Sequence, residues 1–274
     1  MTFYVQKHTG VINQETRGLI AKRYRTVTRA INREFYDSYS EVEHSLYVGS
    51  YGRCTAVDTS DIDIMVILPR EEYDHFDSYR GNGQSRLLQS VRTAIKQSYS
   101  TSDVRADGQV VKIAFSDEMK FEILPAFASV DWAGNTVYDY PDANQGGNWL
   151  SSNPKAEQEA MRQKNKLSNG LLVDTCRHMR VVRDSCFKSY HLSGIVIDSF
   201  VYSAIKDWHW CNPGVPSSSP KGSYEETILR YWEDFIQFSP NSLTAPGSRD
   251  SVNVQKSNEC LGKVLRYMAG KYNV

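Results

Sequence analysis

Residues 49–69 read GSYGRCTAVDTSDIDIMVILP, and this stretch decides the fold. Asp61-Ile62-Asp63-Ile64 alternates, Met65-Val66-Ile67-Leu68 is wholly apolar, and Pro69 stops the run. Period-two alternation marks a strand, expected here over Asp61–Leu68. Two residues apart on a strand, Asp61 and Asp63 point to one face, while Ile62 and Ile64 point to the other. Gly49-Ser50 ends a preceding strand that opens with Ser45-Leu46-Tyr47-Val48. A glycine lets backbone come close to a bulky anion, and amides in a tight turn point at phosphate oxygens. Ser50 adds a hydroxyl donor, and Thr55 follows within the same turn.

Further along, Gln109–Phe115 and Met119–Leu124 read as strands. Ser116-Asp117-Glu118 turns between them, which predicts a hairpin. In the second strand Glu122 lies between Phe121 and Ile123 and so faces away from them. Beside the Asp61–Leu68 strand, Glu122 would join the two aspartates. Three carboxylates on one sheet surface can hold two cations about 3.5–4 Å apart, the arrangement of in-line phosphoryl displacement. Oxygen-only ligands select hard ions such as Mg²⁺ or Mn²⁺. The competing reading has the aspartates facing water and Glu122 on an exposed edge strand.

The rest of the chain supplies the frame. Ile20, Tyr24, Val27, Ile31 and Phe35 recur at helical spacing and predict a helix over Glu15–Tyr36, with Asn13 as its cap. Leu88, Val91 and Ile95 predict another within Gln84–Ser98. Residues Asp131 to Pro154 are rich in Gly, Asn, Asp and Pro and read as loops. Beyond them the signals are helical. One stripe is Leu172, Cys176, Met179, Val182 and Cys186, and another is Ile195, Val196, Phe200 and Ala204. Asn212–Gly222 reads as a linker. Ser223-Tyr224-Glu225-Glu226 is a capping box before Ile228, Tyr231, Trp232 and Phe235. A last helix carries Leu261, Val264, Leu265 and Met268. The expected fold class is α+β, with a mixed helix-and-sheet core over residues 1–150 and an all-helical lobe over 151–274. Asp58, Asp103 and Asp107 read as turn residues. The five tryptophans, Trp132, Trp149, Trp208, Trp210 and Trp232, read as packing residues.

Composition excludes several function classes. The 274 residues carry 32 basic and 32 acidic side chains, so no standing positive charge exists to coat a long polyanion. The chain is 40% hydrophobic and 12% aromatic, enough apolar mass to fold. The five cysteines include no CxxC pair, which fits a reducing cytoplasm better than a disulfide framework. The longest apolar run, Ile64–Leu68, is far short of a membrane span.

Residues 49–69 resemble the GS…T…DxD signature of the polymerase-β-type nucleotidyltransferases. Within that superfamily the chain most resembles the bacterial CD-NTases, relatives of cyclic GMP–AMP synthase and oligoadenylate synthase. MKFEILPAF (119–127) resembles the strand bearing the third metal ligand. GGNWLSSNPKAEQ (146–158) resembles the loop after the core, and CRHMRVVRDS (176–185) with HLSGIVIDSF (191–200) resembles two helices of the C-terminal lobe.

The resemblance implies that Gly49 and Ser50 hold the β and γ phosphates. It implies that Asp61, Asp63 and Glu122 hold two Mg²⁺ or Mn²⁺ ions, and that Arg180 and Ser193 touch the triphosphate. Arg177 and Arg183 compete with Arg180 for that role. The implied activity joins NTPs (ATP, GTP or a pyrimidine NTP) into a cyclic di- or oligonucleotide messenger and releases pyrophosphate. The implied setting is cytoplasmic anti-phage signalling, with the product read by a separate effector protein. No duplex-DNA activator and no membrane partner are implied. Two rival readings remain open: transfer of a nucleotide to an RNA end, small molecule or protein, and a non-catalytic scaffold.

Overall fold

The computed structural model describes residues 3–8, 11–57, 61–238 and 241–272. The chain forms two compact units. One comprises Ile12–Gly52 and Thr59–Asn153, and the other Met1–Val11, Arg53–Asp58 and Pro154–Val274. The segments 1–11 and 53–58 group with the helical unit rather than with the sheet.

The first unit opens with α1 (Gln14–Tyr36), whose first turn is capped as the sequence suggests: Asn13 Oδ1 accepts from the Thr16 amide at 2.8 Å. There follow β1 (Ser45–Tyr47), a single helical turn α2 (Gly49–Gly52) and β2 (Ile62–Leu68). Then come α3 (Arg70–Asp77), α4 (Gly83–Ser98), β3 (Asp103–Asp107), β4 (Val110–Ala114) and β5 (Lys120–Val130). The unit ends with β6 (Thr136–Asp142) and β7 (Asn148–Ser152). The strands make one mixed sheet of order β1-β2-β5-β4-β3, with β6 on the far half of β5 and β7 outside β6. β2 and β5 are parallel, and the other pairs are antiparallel, including the predicted β4–β5 hairpin.

Burial explains the composition of β2. Ile62, Ile64, Val66 and Leu68 pack into the core beneath α1 and α4, together with Ile20, Val27, Ile31, Leu88 and Val91. Met65, on the opposite face, joins Val48, Ala126 and Tyr138 in a second cluster. The strand is therefore apolar wherever both faces are covered and acidic only at its open end. Each fully buried Ile or Leu of this kind contributes roughly 1.5–3 kcal/mol relative to exposure.

Several local expectations are corrected. The segment read as loops after Asp131 contains β6 and β7. Asp103 and Asp107 are the exposed ends of β3 rather than turn residues, and Asp58 lies outside the described residues. Trp132 is 99% exposed, whereas Trp149 packs tilted against Tyr73 and edge-on against Phe127 and donates to Asp77.

The second unit holds α5 (Pro154–Leu167), α6 (Leu171–Cys186), α7 (Gly194–Ala204), α8 (Ser223–Phe238), a small hairpin of β8 (Ser242–Thr244) and β9 (Ser251–Asn253), and α9 (Asn258–Met268). The hairpin departs from the all-helical expectation. The predicted stripes meet in one core: Leu172, Cys176, Met179 and Val182 of α6 pack with Val196 and Phe200 of α7, Ile228 and Trp232 of α8, and Leu261, Val264, Leu265 and Met268 of α9. Glycine at 262 lets Trp232 come close, because a Cβ there would overlap the edge of its ring. The capping box is displaced by one residue: α8 begins at Ser223, and the Glu226 amide bonds to Gly222 O at 3.0 Å. No helix among the described residues is long and apolar enough to cross a membrane.

Candidate active site

The site assembles on the open face of the sheet in the first unit. The register pairs Asp63 of β2 with Glu122 of β5, so the two carboxylates stand on neighbouring parallel strands, about 4.8 Å apart along the ladder. Phe121 and Ile123 are fully buried, which leaves Glu122 half-exposed on the opposite face. Asp61 directly precedes β2 and is exposed.

Gly49 fits closely against this pair. Its φ of +58° is one that an L side chain adopts only with strain, and a Cβ at this position would overlap the Asp63 carboxylate. The turn is fastened to the acidic strand by the Val48 amide, which donates to Asp63 O at 2.9 Å. Ser50 follows within α2 and is half-buried. Gly49, Asp63 and Glu122 are thus brought together by α2, β2 and β5, with Ser50 next to Gly49 in α2.

The donor set, oxygen throughout, suits a hard cation. The bare Gly49 leaves space beside Asp63 that any other residue would fill. The carboxylates do not yet converge: among the described residues no three His, Cys, Asp or Glu side chains gather at metal distance. Asp63 rests against Gly49, and Glu122 is drawn the other way by Lys112 Nζ at 3.3 Å. Lys112 also pairs with Asp107 at 2.7 Å, and its pKa is raised, first by that hydrogen bond and also by the charge of Glu122.

Arg180 and Ser193 belong to the second unit. Arg180 is 1% exposed and is held within its own unit. Its Nη1 and Nη2 donate to Asp198 at 2.8 and 3.0 Å, and Nη2 also donates to Gly194 O at 3.0 Å. Asp198 takes further bonds from Arg53 Nε at 2.9 Å and Thr55 Oγ1 at 3.0 Å, while Arg53 Nη1 reaches Glu157 at 2.8 Å. Two guanidinium groups and two carboxylates thus balance in a buried hub. Burial alone would raise the pKa of Asp198, but Arg180 and Arg53 hold it down to about 2. The rivals Arg177 and Arg183 are also engaged, Arg177 with His8 O and Arg183 with Asp184 and Leu192 O. Ser193 caps α7, its hydroxyl accepting from the Val196 amide at 3.4 Å.

Sequence reasoning missed the hub, although one signal was present. Asp198 interrupts the apolar run Ile195-Val196-Ile197, and a carboxylate in a core-facing run demands a buried cation. Arg53 and Thr55 lie in the chain between Ser50 and Asp61, and through Asp198 they build that segment into the helical unit.

Residues 8–165 match the family described as the Second Messenger Oligonucleotide or Dinucleotide Synthetase domain. No curated protein matches the chain. Among solved structures, the Elizabethkingia meningoseptica CdnE cyclic dinucleotide synthase with GTP and Apcpp is 14% identical. It has a TM-score of 0.62 over 92% of this chain and 89% of that one. The Bradyrhizobium diazoefficiens CD-NTase CdnG in complex with GTP is 13% identical, with a TM-score of 0.63 over 98% and 87%. The Vibrio cholerae di-nucleotide cyclase DncV is also 13% identical, with a TM-score of 0.63 over 93% and 84%. The fold is that of the CD-NTases, and the chain belongs to the second messenger oligonucleotide or dinucleotide synthetase family.

Proposed function

We propose that this chain is a metal-dependent nucleotidyltransferase that joins NTPs into a cyclic di- or oligonucleotide with release of pyrophosphate. The observation that carries the reading is the register pairing of Asp63 with Glu122 beside the bare backbone of Gly49, in a chain of this family. Asp61, Asp63 and Glu122 would hold two Mg²⁺ or Mn²⁺ ions. When bound, such ions lower the charge barrier between a ribose hydroxyl and the α-phosphorus and stabilise the displaced oxygens.

The chain's own residues orient. Gly49 lets the turn approach the β and γ phosphates, Ser50 offers a hydroxyl to them, and the β2–β5 ladder fixes the backbone that carries Asp63 and Glu122. Ser193 remains a candidate contact for the triphosphate. That some neighbours hold GTP supports NTP substrates. A cytoplasmic, CBASS-type anti-phage role, with a separate effector reading the product, accords with the family. Incubation with α-labelled NTPs and Mg²⁺ tests the reading: phosphatase-resistant label forming without an added acceptor supports it.

A further inference from the structure

One register row crosses four strands of the sheet. Asp63 of β2 pairs with Glu122 of β5, Glu122 with Lys112 of β4, and Lys112 with Arg105 of β3. Along this row on the open face, two carboxylates are followed by two cations. Arg105 is neutralised within its own strand by Asp103 at 2.7 Å. Lys112 is different, because it stands between two acids on either side. It contacts Asp107 at 2.7 Å and leans towards Glu122 at 3.3 Å.

We infer that Lys112 is a positioning residue that acts as an internal counter-ion for Glu122, keeping metal affinity low until nucleotide arrives. The inference rests on the metal-site reading of Glu122 proposed above. Three observations carry it. The ammonium engages the one carboxylate of the set that lies on β5, which accounts for the lack of convergence with Asp63. A hollow of about 170 Å³, lined by Asp103, Arg105, Lys112, Lys120 and Glu122, opens on the β4 side of Glu122, away from β2, so the carboxylate leans towards Lys112 unhindered. Asp107 retains Lys112 when Glu122 turns away, so no cation is stranded by the exchange.

A cation held by Glu122 would feel the positive charge of the Lys112 ammonium, which lies 3.3 Å from that carboxylate. For a divalent ion beside one ammonium in high dielectric, that repulsion weakens binding on the order of tenfold. A bound triphosphate brings negative charge that offsets Lys112, so metal and nucleotide bind cooperatively.

The test is direct Mn²⁺ titration of the full chain without nucleotide, following free Mn²⁺ by electron paramagnetic resonance. Wild type, Lys112→Met, Lys112→Arg and Glu122→Gln are compared, with circular dichroism confirming each fold. Lys112→Met is expected to tighten Mn²⁺ binding roughly tenfold, Lys112→Arg to match wild type, and Glu122→Gln to weaken binding. If Glu122→Gln weakens binding but Lys112→Met does not tighten it, the inference falls and the metal site stands. If Lys112→Arg tightens binding as much as Lys112→Met, charge is not the cause and the inference falls. If Glu122→Gln changes nothing, the metal-site reading falls and takes the inference with it.

Discussion

Asp63 and Glu122 are cross-strand partners on β2 and β5, held in register by a parallel ladder that runs from Ile62–Phe121 to Leu68–Phe127. Their spacing is set by backbone hydrogen bonds, not by side-chain choice. Isosteric removal of charge therefore tests chemistry without disturbing the frame. Asp63→Asn or Glu122→Gln should lower product formation on the order of 10³-fold, with an unchanged circular dichroism spectrum and melting temperature. Near-wild-type turnover in either variant would remove that residue from the site.

Gly49→Ala probes the turn. The added Cβ meets the Asp63 carboxylate at a φ of +58°, so the turn must shift or Asp63 must rotate. A stability loss of about 1–2 kcal/mol is expected by urea denaturation, together with a loss of activity larger than that stability change explains. Unaltered kinetics would mean that close approach at Gly49 does not matter.

How much of this was legible in the sequence varies with the kind of force involved. β2 announced itself through alternation that ends in an apolar run, and α1 through its spacing and Asn13. The site residues of the first unit followed, because Gly49, Ser50, Asp61 and Asp63 are near in the chain, and Glu122 needed only the parallel neighbour of β2. β6 and β7 stayed hidden because they are largely polar and Pro141 interrupts β6, and the pairing of β6 with β5 and of β7 with β6 rests on backbone bonds that composition does not record. The burial of Arg180 stayed hidden for the opposite reason. It lies off the apolar stripe of α6, and its burial depends on Asp198, 18 residues away on another helix.

The Asp198 hub predicts a stability effect. Asp198→Asn leaves buried guanidinium groups without full compensation and should cost roughly 3–5 kcal/mol at neutral pH. The carboxyl has a depressed folded pKa of about 2 against an ordinary 3.8. Its contribution is therefore complete above about pH 4 and is lost as pH falls towards 2. The gap between wild type and Asp198→Asn, read by chemical denaturation, should narrow over that window. A gap that persists unchanged at low pH would contradict the pairing.

His178 predicts a second pH dependence. It is 3% exposed, meets His8 at 3.2 Å, and has its pKa lowered to about 4, chiefly by burial and then by the His8 charge. The pKa of His8 is lowered too, chiefly by burial, while its amide donates to Asp174 and its carbonyl accepts from Arg177. Between pH 6.5 and 4 the unfolded chain takes a proton at position 178 that the folded chain refuses, so stability falls as pH falls, by up to about 3 kcal/mol. His178→Gln should flatten the stability profile in that window. A slope equal to that of wild type would place the titration elsewhere.

The central claim is that this chain alone, given NTPs and a divalent cation, closes a nucleotide ring using the carboxylates on the open face of the sheet. Incubation with α-labelled NTPs, singly and in pairs, with Mg²⁺ or Mn²⁺, followed by phosphatase and mass spectrometry, tests it most directly. The account predicts a phosphatase-resistant product of cyclic mass from the wild type and none from a folded Asp61→Asn/Asp63→Asn double variant. Label that stays phosphatase-sensitive, product that forms only when an RNA or small-molecule acceptor is added, or full activity in the double variant would contradict it.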